Sequence, residues 1–478
     1  MIKTESLRPK ALLVSVKTPK VSIEEAEESL AELERLATTL GFDVVAKEIQ
    51  SRPNTLAGLV VGEGKLKELA GYTGGPGYVK QASFAKKTKA GPGSKEEDQE
   101  DESESDFEED FDEKFPSDEY MRDDDLSDLE EKPQVEAVMF DCDLSPSQMR
   151  NLENALAVEV LDRSGVIIEI FSRHARTRTA KLQVEIARLN YLAPRLREKG
   201  GPSERQAGQG SGESSLELDR RNIRDRVTEL KDELAKVQRE QESRRSVRSD
   251  QLCVALVGYT NAGKSSTMRA LTGSEVLVQD KLFATLDTTV RALHPETHPR
   301  ILVTDTVGFI KKLPHDLVAS FHSTLDEALN ASLLLYVVDA SDPTFESQLE
   351  TTQEVLGEVG VEDTPKFIVL NKDDNLNDVQ RARLKRDYPD AELISSRNPD
   401  DIKRLRERII TVFEKDMVEE DVFAPYSMKG IVGEIRSSMR VVGERYQGDG
   451  VIFRVRARLE DLNRLKKKFH IEWCGRSP

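Results

Sequence analysis

Leu252-Cys253-Val254-Ala255-Leu256-Val257-Gly258-Tyr259-Thr260-Asn261-Ala262-Gly263-Lys264-Ser265 is the stretch whose reading decides the fold. Its first six residues are an unbroken apolar run, the mark of a strand buried on both faces of a parallel sheet. The run turns at Gly258 and leaves through Lys264-Ser265 into a helical pattern. Strand, tight glycine loop and helix N-terminus, in that order, make a phosphate cradle. The glycines let the backbone wrap closely, and the loop amides with the helix end supply positive potential. In such a loop Lys264 reaches the β- and γ-phosphates of a nucleotide, and the Ser265 hydroxyl ligates Mg²⁺.

Three further strings extend this reading. Ile301–Thr304 is strand-like, and Asp305-Thr306-Val307-Gly308 closes it. An Asp there can hold Mg²⁺ through water, and the Gly308 amide can bond a γ-phosphate. Leu333–Asp339 and Phe367–Leu370 read as strands, and the second delivers Asn371-Lys372-Asp373-Asp374. The Asp374 carboxylate can accept from both N1–H and the exocyclic amine of guanine. Adenine offers no matching donors, so a buried acid would stay unpaired against it. Ser395-Ser396-Arg397, after Ala391–Ile394, fits a backbone contact to the guanine O6. Alone, Asn371–Asp374 also suits a polar turn after a strand; in third position behind the other strings it reads guanine. The expected ligands are GTP and GDP with Mg²⁺.

Between the first two strings stands Phe283-Ala284-Thr285-Leu286-Asp287-Thr288-Thr289. Thr285 and Thr289 each offer a hydroxyl for Mg²⁺, and spacing does not choose between them. After Gly308 comes Phe309, where Ras-like GTPases carry a Gln that orients the attacking water. Phe cannot hydrogen-bond water. Hydrolysis is therefore slow, or another group supplies that contact; Phe309 also suits a plain packing role.

Taken together, Gly258–Ser265, Phe283–Asp287 and Asp305–Ile310 followed by Leu313-Pro314 closely resemble the HflX family of translational GTPases. So do Asp143–Gln148, Arg150–Glu153, Val160–Arg163 and the run from Ile170-Phe171 to Leu182–Glu185. The resemblance spans nearly the whole chain outside one insert. It implies a GTPase that binds the 50S ribosomal subunit and its rRNA and splits or recycles 70S ribosomes under stress. It also implies that Thr285 is the Mg²⁺-ligating threonine, that Lys264, Thr285 and Gly308 carry catalysis, and that an apolar residue at Phe309 is normal. The chain departs from the family at Gly210–Glu217, where Gly-Pro-Gly-Glu-Thr-Gln-Leu-Glu is usual, and at Thr288, where Pro is preferred.

With 478 residues the chain is long enough for several cores. Its three cysteines, Cys142, Cys253 and Cys474, lack metal-ligand spacing and imply a reducing compartment. No apolar run reaches membrane length and the N-terminus lacks a signal core, so a cytoplasmic protein is expected. A monomer is expected too. The net charge of −18 sits oddly with an RNA partner, but its distribution removes the conflict. Residues 91–134 hold 21 Asp/Glu against 4 Lys/Arg, whereas residues 429–478 hold 12 Lys/Arg against 6 Asp/Glu. Arg454, Arg456 and Arg458 alternate there as on one strand face, either a phosphate-contacting stripe or an ordinary solvated face.

The expected class is α/β. Residues 1–172 read as an N-terminal α/β domain, interrupted over 71–134 by an acidic insert too polar and like-charged to order. That insert reads as a solvated insertion, as a lure for basic ribosomal proteins, or as a cover over the basic C-terminal face. Gly62-Glu63-Gly64-Lys65 suits a helix start better than a nucleotide contact. Residues 173–248 carry two apolar stripes, Leu182, Ile186, Leu189, Ala193, Leu196 and Ile223, Val227, Leu230, Leu234, Val237. They predict an antiparallel helical hairpin with a Gly-rich tip loop, a probe roughly 45 Å long for thirty residues. Arg176, Arg178, Lys181, Arg188, Arg220, Arg221 and Arg224 flank it and suit RNA; a plain coiled-coil spacer is the alternative. Residues 249–415 form the GTPase domain with a mostly parallel sheet. Residues 416–478 form a small α+β domain with a hairpin at Asp449-Gly450. A 50S assembly GTPase and a GTP-dependent protein scaffold are the rival functions.

Overall fold

The computed structural model describes residues 8–55, 58–79, 133–196, 215–246, 251–274, 282–283, 285–286, 288–312, 330–358, 360–361 and 364–469. The N-terminal unit opens with β1 (Lys10–Lys17), whose Ala11–Val14 centre is fully buried. α1 (Ile23–Leu40) starts at Ser22, which exchanges bonds with Glu25 in a capping box, and stops at left-handed Gly41. β2 (Asp43–Ser51), α2 (Glu63–Thr73), β3 (Ala137–Phe140), α3 (Pro146–Leu156), β4 (Glu159–Asp162), α4 (Arg163–His174) and α5 (Arg178–Leu192) follow. Their strands form a parallel sheet in the order β2-β1-β3-β4. Ser145 caps α3 with Pro146 at its first position, as the sequence predicts. Gly62–Lys65 does open a helix, and Lys65 is engaged by Glu48 and Glu68.

The structure corrects the start of the acidic insert. Order does not stop at residue 71: α2 runs to Thr73, and the Gly77 amide donates to the Ala155 carbonyl at 2.9 Å. Gly75 lies so close to α3 that a Cβ would meet the Leu156 backbone at 2.4 Å. Only a glycine-rich segment can dock this tightly. From the other side, the Val135 amide donates to the Tyr72 carbonyl at 2.9 Å, so both ends of the insert meet on one spot. The rest of that expectation, residues 80–132, lies outside the described residues.

The hairpin also differs in detail. α6 (Ser215–Ser246) is 32 residues long and packs on α5 through Leu182, Ile186, Val227 and Leu230, with Leu189, Ile223, Leu234 and Val237 around them. α5, however, ends at Leu192, and Ala193–Arg195 form a 3-10 turn, so Ala193 and Leu196 do not continue the α-helical stripe. Pro194 has no amide for the helical ladder. Arg195 then folds back over the Tyr191 ring, 3.6 Å from its centroid, and donates to Asp162 at 2.9 Å and the Leu144 carbonyl at 3.0 Å. The first arm thus stays pinned to the N-terminal sheet. The tip loop, including Gly210–Ser214, lies outside the described residues.

The central unit contains β5 (Leu252–Val257), α7 (Lys264–Thr272), β6 (Thr289–Ala292), β7 (Ile301–Asp305), β8 (Leu333–Asp339), α8 (Phe345–Glu358), β9 (Lys366–Asn371), α9 (Asp378–Asp387), β10 (Glu392–Leu393) and α10 (Pro399–Glu414). Its six-stranded sheet runs β10-β9-β8-β5-β7-β6, parallel except for β6 against β7. This order sets the carboxyl ends of β5, β7 and β9 at one edge, where ligands bind in open α/β sheets. β11 (Val418–Pro425), α11 (Ile431–Ser438), β12 (Arg440–Tyr446), β13 (Gly450–Ala457) and α12 (Leu459–Phe469) complete the chain around an antiparallel sheet, β11-β13-β12.

The alternating arginines sit on and just after β13, but each meets an acid of its own unit or of α10. Arg454 bonds Asp421 at 3.1 Å, Arg456 bonds Glu414 at 3.0 Å and also Glu419, and Arg458 bonds Asp461 at 2.9 Å. The stripe is a charge-paired face, not an open cationic track. Among the described residues no helix is long and apolar enough to cross a membrane.

The hairpin seam gives the first prediction. Leu230 is 3% exposed, so Leu230→Ala should cost about 2–4 kcal/mol locally. Hydrogen exchange should show α5 and α6 losing protection while β5, β7 and β8 keep theirs; equal loss in both would contradict a separately packed hairpin.

Candidate nucleotide site

The phosphate loop leaves β5 at Gly258, whose backbone (φ +149°) is so close to β8 that a Cβ would stand 2.1 Å from the Val337 carbonyl oxygen. Asn261 (φ 62°) and Gly263 (φ +92°) complete the turn into α7 in left-handed conformations. A Cβ on Gly263 would strike the Asn371 amide at 2.1 Å. That closeness has a purpose: Asn371 Nδ2 donates to the Ala262 carbonyl at 2.9 Å, and its Oδ1 accepts from the Ser396 amide at 3.1 Å. One buried side chain therefore ties the phosphate loop to the end of β10.

Lys264 is buried, and its ammonium donates to the carbonyls of Gly258 (3.1 Å) and Tyr259 (2.7 Å). Burial pulls its pKa down to about 8, against the opposing charge of Asp305. Ser265 Oγ lies 2.7 Å from Thr285 Oγ1 and donates to Asp305 Oδ2 at 2.6 Å; Thr285 donates to the same oxygen at 3.2 Å. Thr289, the other candidate, begins β6 and pairs with Asp305 only across the sheet. Asp305 is fully buried, and burial raises its pKa in spite of Lys264, Ser265 and Thr285. Its second oxygen, Oδ1, is buried with no hydrogen-bond partner. Two hydroxyls converging on a buried carboxylate with an orphaned oxygen are a hard-oxygen donor set, which suits Mg²⁺.

Gly308 lies flat on the phosphate loop, where a Cβ would come 2.8 Å from Thr260 Cα and 2.9 Å from the Lys264 ammonium. Phe309 exchanges backbone bonds with the loop: its amide donates to Gly258 at 3.1 Å and its carbonyl accepts from Thr260 at 2.8 Å. Thr306 is buried and donates to the Leu256 carbonyl at 2.7 Å, a bond that fixes the end of β7 to β5. Val307 is buried beside it.

At the guanine end, Asp374 is exposed in the Asp373–Asn375 turn. Its Oδ1 accepts from Ser395 Oγ at 2.7 Å, and Arg397 approaches Oδ2 at 3.4 Å. Lys372 (φ 65°) pairs with Asp339 at 2.6 Å. Asp373 does not join this group: it accepts from Arg381 Nε of α9 at 2.7 Å. Phe283 and Leu286 are buried in one apolar cluster with Phe171, Tyr259, Phe309 and Ile310; the Phe283 and Phe171 rings meet edge-on, centroids 4.5 Å apart. Ala284 and Asp287 lie outside the described residues. Sequence reasoning missed that the Tyr259 side chain turns away from the loop to Glu32 of α1, because nothing in a local string points to a residue 227 positions distant.

A parallel sheet that ends in a phosphate loop, a buried Mg²⁺-type donor set and an exposed carboxylate held by Ser395 defines a P-loop GTPase. Family comparison agrees. A family model described as GTP-binding GTPase N-terminal matches residues 27–76 and 122–172, one described as GTP-binding GTPase middle region matches 174–248, and one described as 50S ribosome-binding GTPase matches 253–372. GTPase HflX of Gluconacetobacter diazotrophicus is 54% identical over 96% of this chain and 97% of its own. GTPase HflX of Caldanaerobacter subterraneus subsp. tengcongensis is 32% identical over 96% and 93%, and that of Escherichia coli 38% identical over 69% and 80%. The chain belongs to the HflX family of GTPases. It binds guanine nucleotide and hydrolyses GTP.

Asp374→Asn should lower GTP affinity about a hundred-fold or more and favour XTP, because an amide can donate to the xanthine O2. Competition between the two nucleotides for a fluorescent analogue reads this directly; unchanged GTP affinity would remove Asp374 as the guanine reader.

Proposed function

We propose that this GTPase works on the large ribosomal subunit and separates 70S ribosomes into subunits in its GTP form. The observation that carries the reading is the hairpin. Arg176, Lys181, Arg188, Arg220, Arg221 and Arg224 are exposed on or beside α5 and α6, while Arg178, also exposed, is paired with Glu233 of α6 at 2.6 Å and the apolar seam faces inward. Exposed arginines on a stiff helical element suit an rRNA backbone, where each phosphate contact releases counterions. The family model's own description, a 50S ribosome-binding GTPase, supports the same partner. Arg454, Arg456 and Arg458, being paired with acids, take no part in it.

In this reading Lys264 and the amides of Gly258–Ser265 hold the phosphates. Ser265 and Thr285, with Asp305 through water, would hold Mg²⁺, which would supply charge neutralisation at the phosphates. The Gly308 amide meets the γ-phosphate, Asn371 braces the loop, and Asp374 with Ser395-Ser396-Arg397 reads guanine. Phe309 offers no hydrogen bond to water, so a ribosome-ordered group completes the catalytic set. The chain divides at residues near 172, 248 and 415 into an N-terminal unit, the hairpin, the GTPase domain and a small C-terminal domain, and the protein acts as a cytoplasmic monomer.

The test is GTP turnover with and without 50S subunits, beside sucrose-gradient profiles of 70S ribosomes given the protein and a non-hydrolysable GTP analogue. Strong stimulation by 50S, with 70S converting to subunits, is the expected result. Retention on immature 50S particles without any effect on 70S would favour an assembly role and overturn the splitting reading.

A further inference from the structure

A cavity of about 720 Å³ lies where the GTPase unit meets the C-terminal unit, clear of the nucleotide strings. One wall is α10 with the connection from β6 to β7; the other is the end of α11 and the start of β12. Its origin is in the packing. Phe413 belongs to an apolar core of the GTPase sheet, and Ile410 and Met417 lean on that core. Met439 belongs to the core of the C-terminal unit, and Val441 leans on it. The two cores remain separate clusters, and these five side chains line the space between them. Polar pairs hold the walls together across it. Glu414 of α10 meets Arg440 of β12, and also Arg456 at 3.0 Å, while His298 Nδ1 lies 3.3 Å from the Ser437 carbonyl oxygen.

The charges around the cavity decide what chemistry it accepts. Most of them cancel. Arg440 has Glu414, Arg436 has Glu444 at 2.8 Å, and Glu296 has Arg300 at 3.0 Å. Glu407 is exposed, so water solvates it. Arg406 is different. Its Nη2 donates to the Pro295 carbonyl at 2.9 Å, but its Nε is buried with no hydrogen-bond partner among the described residues. A buried N–H without an acceptor is costly, and one oxyanion both satisfies it and neutralises the guanidinium. The rest of the lining is largely apolar, so the remainder of a ligand held there is apolar too. A space of this size between two units, with apolar walls and a few convergent polar groups, has the general make-up of a small-molecule site.

We propose that this cavity binds a small organic anion: a carboxylate, sulfonate or phosphate group on an apolar body. Arg406 takes the anionic group, and the body lies between Ile410, Phe413 and Met417 on one side and Met439 and Val441 on the other. Bound there, the ligand touches α10 and β12 at once and ties the C-terminal unit to the GTPase unit through residues that take no part in nucleotide binding. The test uses the GDP-loaded full chain and 8-anilinonaphthalene-1-sulfonate, an aromatic sulfonate whose emission rises in apolar surroundings. A single probe molecule per chain is expected to bind, and hydrogen exchange is expected to slow in both 406–414 and 436–441. Arg406→Gln removes the charge and is expected to weaken binding about ten-fold or more. Val441→Trp fills the space and is expected to abolish binding. Arg383→Gln, exposed on α9, is expected to leave it unchanged. GDP affinity within about two-fold of the parent reports that each variant is folded. Equal binding by the parent, Arg406→Gln and Val441→Trp, or protection confined to other segments, would overturn the proposal. Should Arg406→Gln lose GDP binding, Val441→Trp, which keeps the guanidinium, decides the same question.

Discussion

Arg163 is a fully buried cation, and the joint between the two parallel sheets depends on it. Burial alone would lower its pKa, but Glu32 and Asp141 outweigh that and raise it. A charge in this setting is stable only while its partners stay in place; removing one typically costs about 3–5 kcal/mol. The partners come from α1, from the end of β3 and from the segment after Gly308. The N-terminal sheet is thus not a module on a tether. It is locked to the segment that follows Gly308. Apolar packing reinforces the lock, since Phe283 and Leu286 share a core with Phe171, Phe309 and Ile310. The Phe283–Leu286 stretch and the segment after Gly308 therefore both lean on the N-terminal unit.

A second buried polar side chain, Asn371, does for the nucleotide pocket what Arg163 does for the joint. It touches the phosphate loop on one side and the Ser396 amide on the other. The Gly258–Gly263 loop and the Ser395-Ser396 turn are then held at a fixed separation by one side chain. Gly263 must be glycine partly for this reason, because any Cβ there would displace the Asn371 amide.

The parts legible in the sequence were those written in short strings. The phosphate-loop string, Asp305–Gly308 and Asn371–Asp374 do stand at the ends of β5, β7 and β9, where the strings alone had put them. The parallel sheet followed from the apolar runs at Leu252–Val257 and Leu333–Asp339. What could not be read was whatever depends on distant pairing. Tyr259 stands inside the phosphate-loop string, yet its side chain reaches Glu32. Asp373 sat inside the guanine string but turns to Arg381, and the alternating arginines of β13 proved to be paired with acids from β11 and α10. Spacing left Thr285 and Thr289 equal, and the family resemblance favoured Thr285; in the fold Thr285 stands beside Asp305 while Thr289 begins β6. Periodicity carried the first hairpin stripe past Leu192, and Pro194 ended it.

The most direct measurement of this joint is hydrogen exchange on the full chain, comparing GDP with a non-hydrolysable GTP analogue. If the N-terminal unit is locked to the loop after Gly308, exchange in residues 305–312 changes together with exchange around Glu32 in α1 and the first turn of α4. A change confined to residues 305–312, with α1 and α4 unaffected, would mean that the two sheets merely touch and would contradict the account.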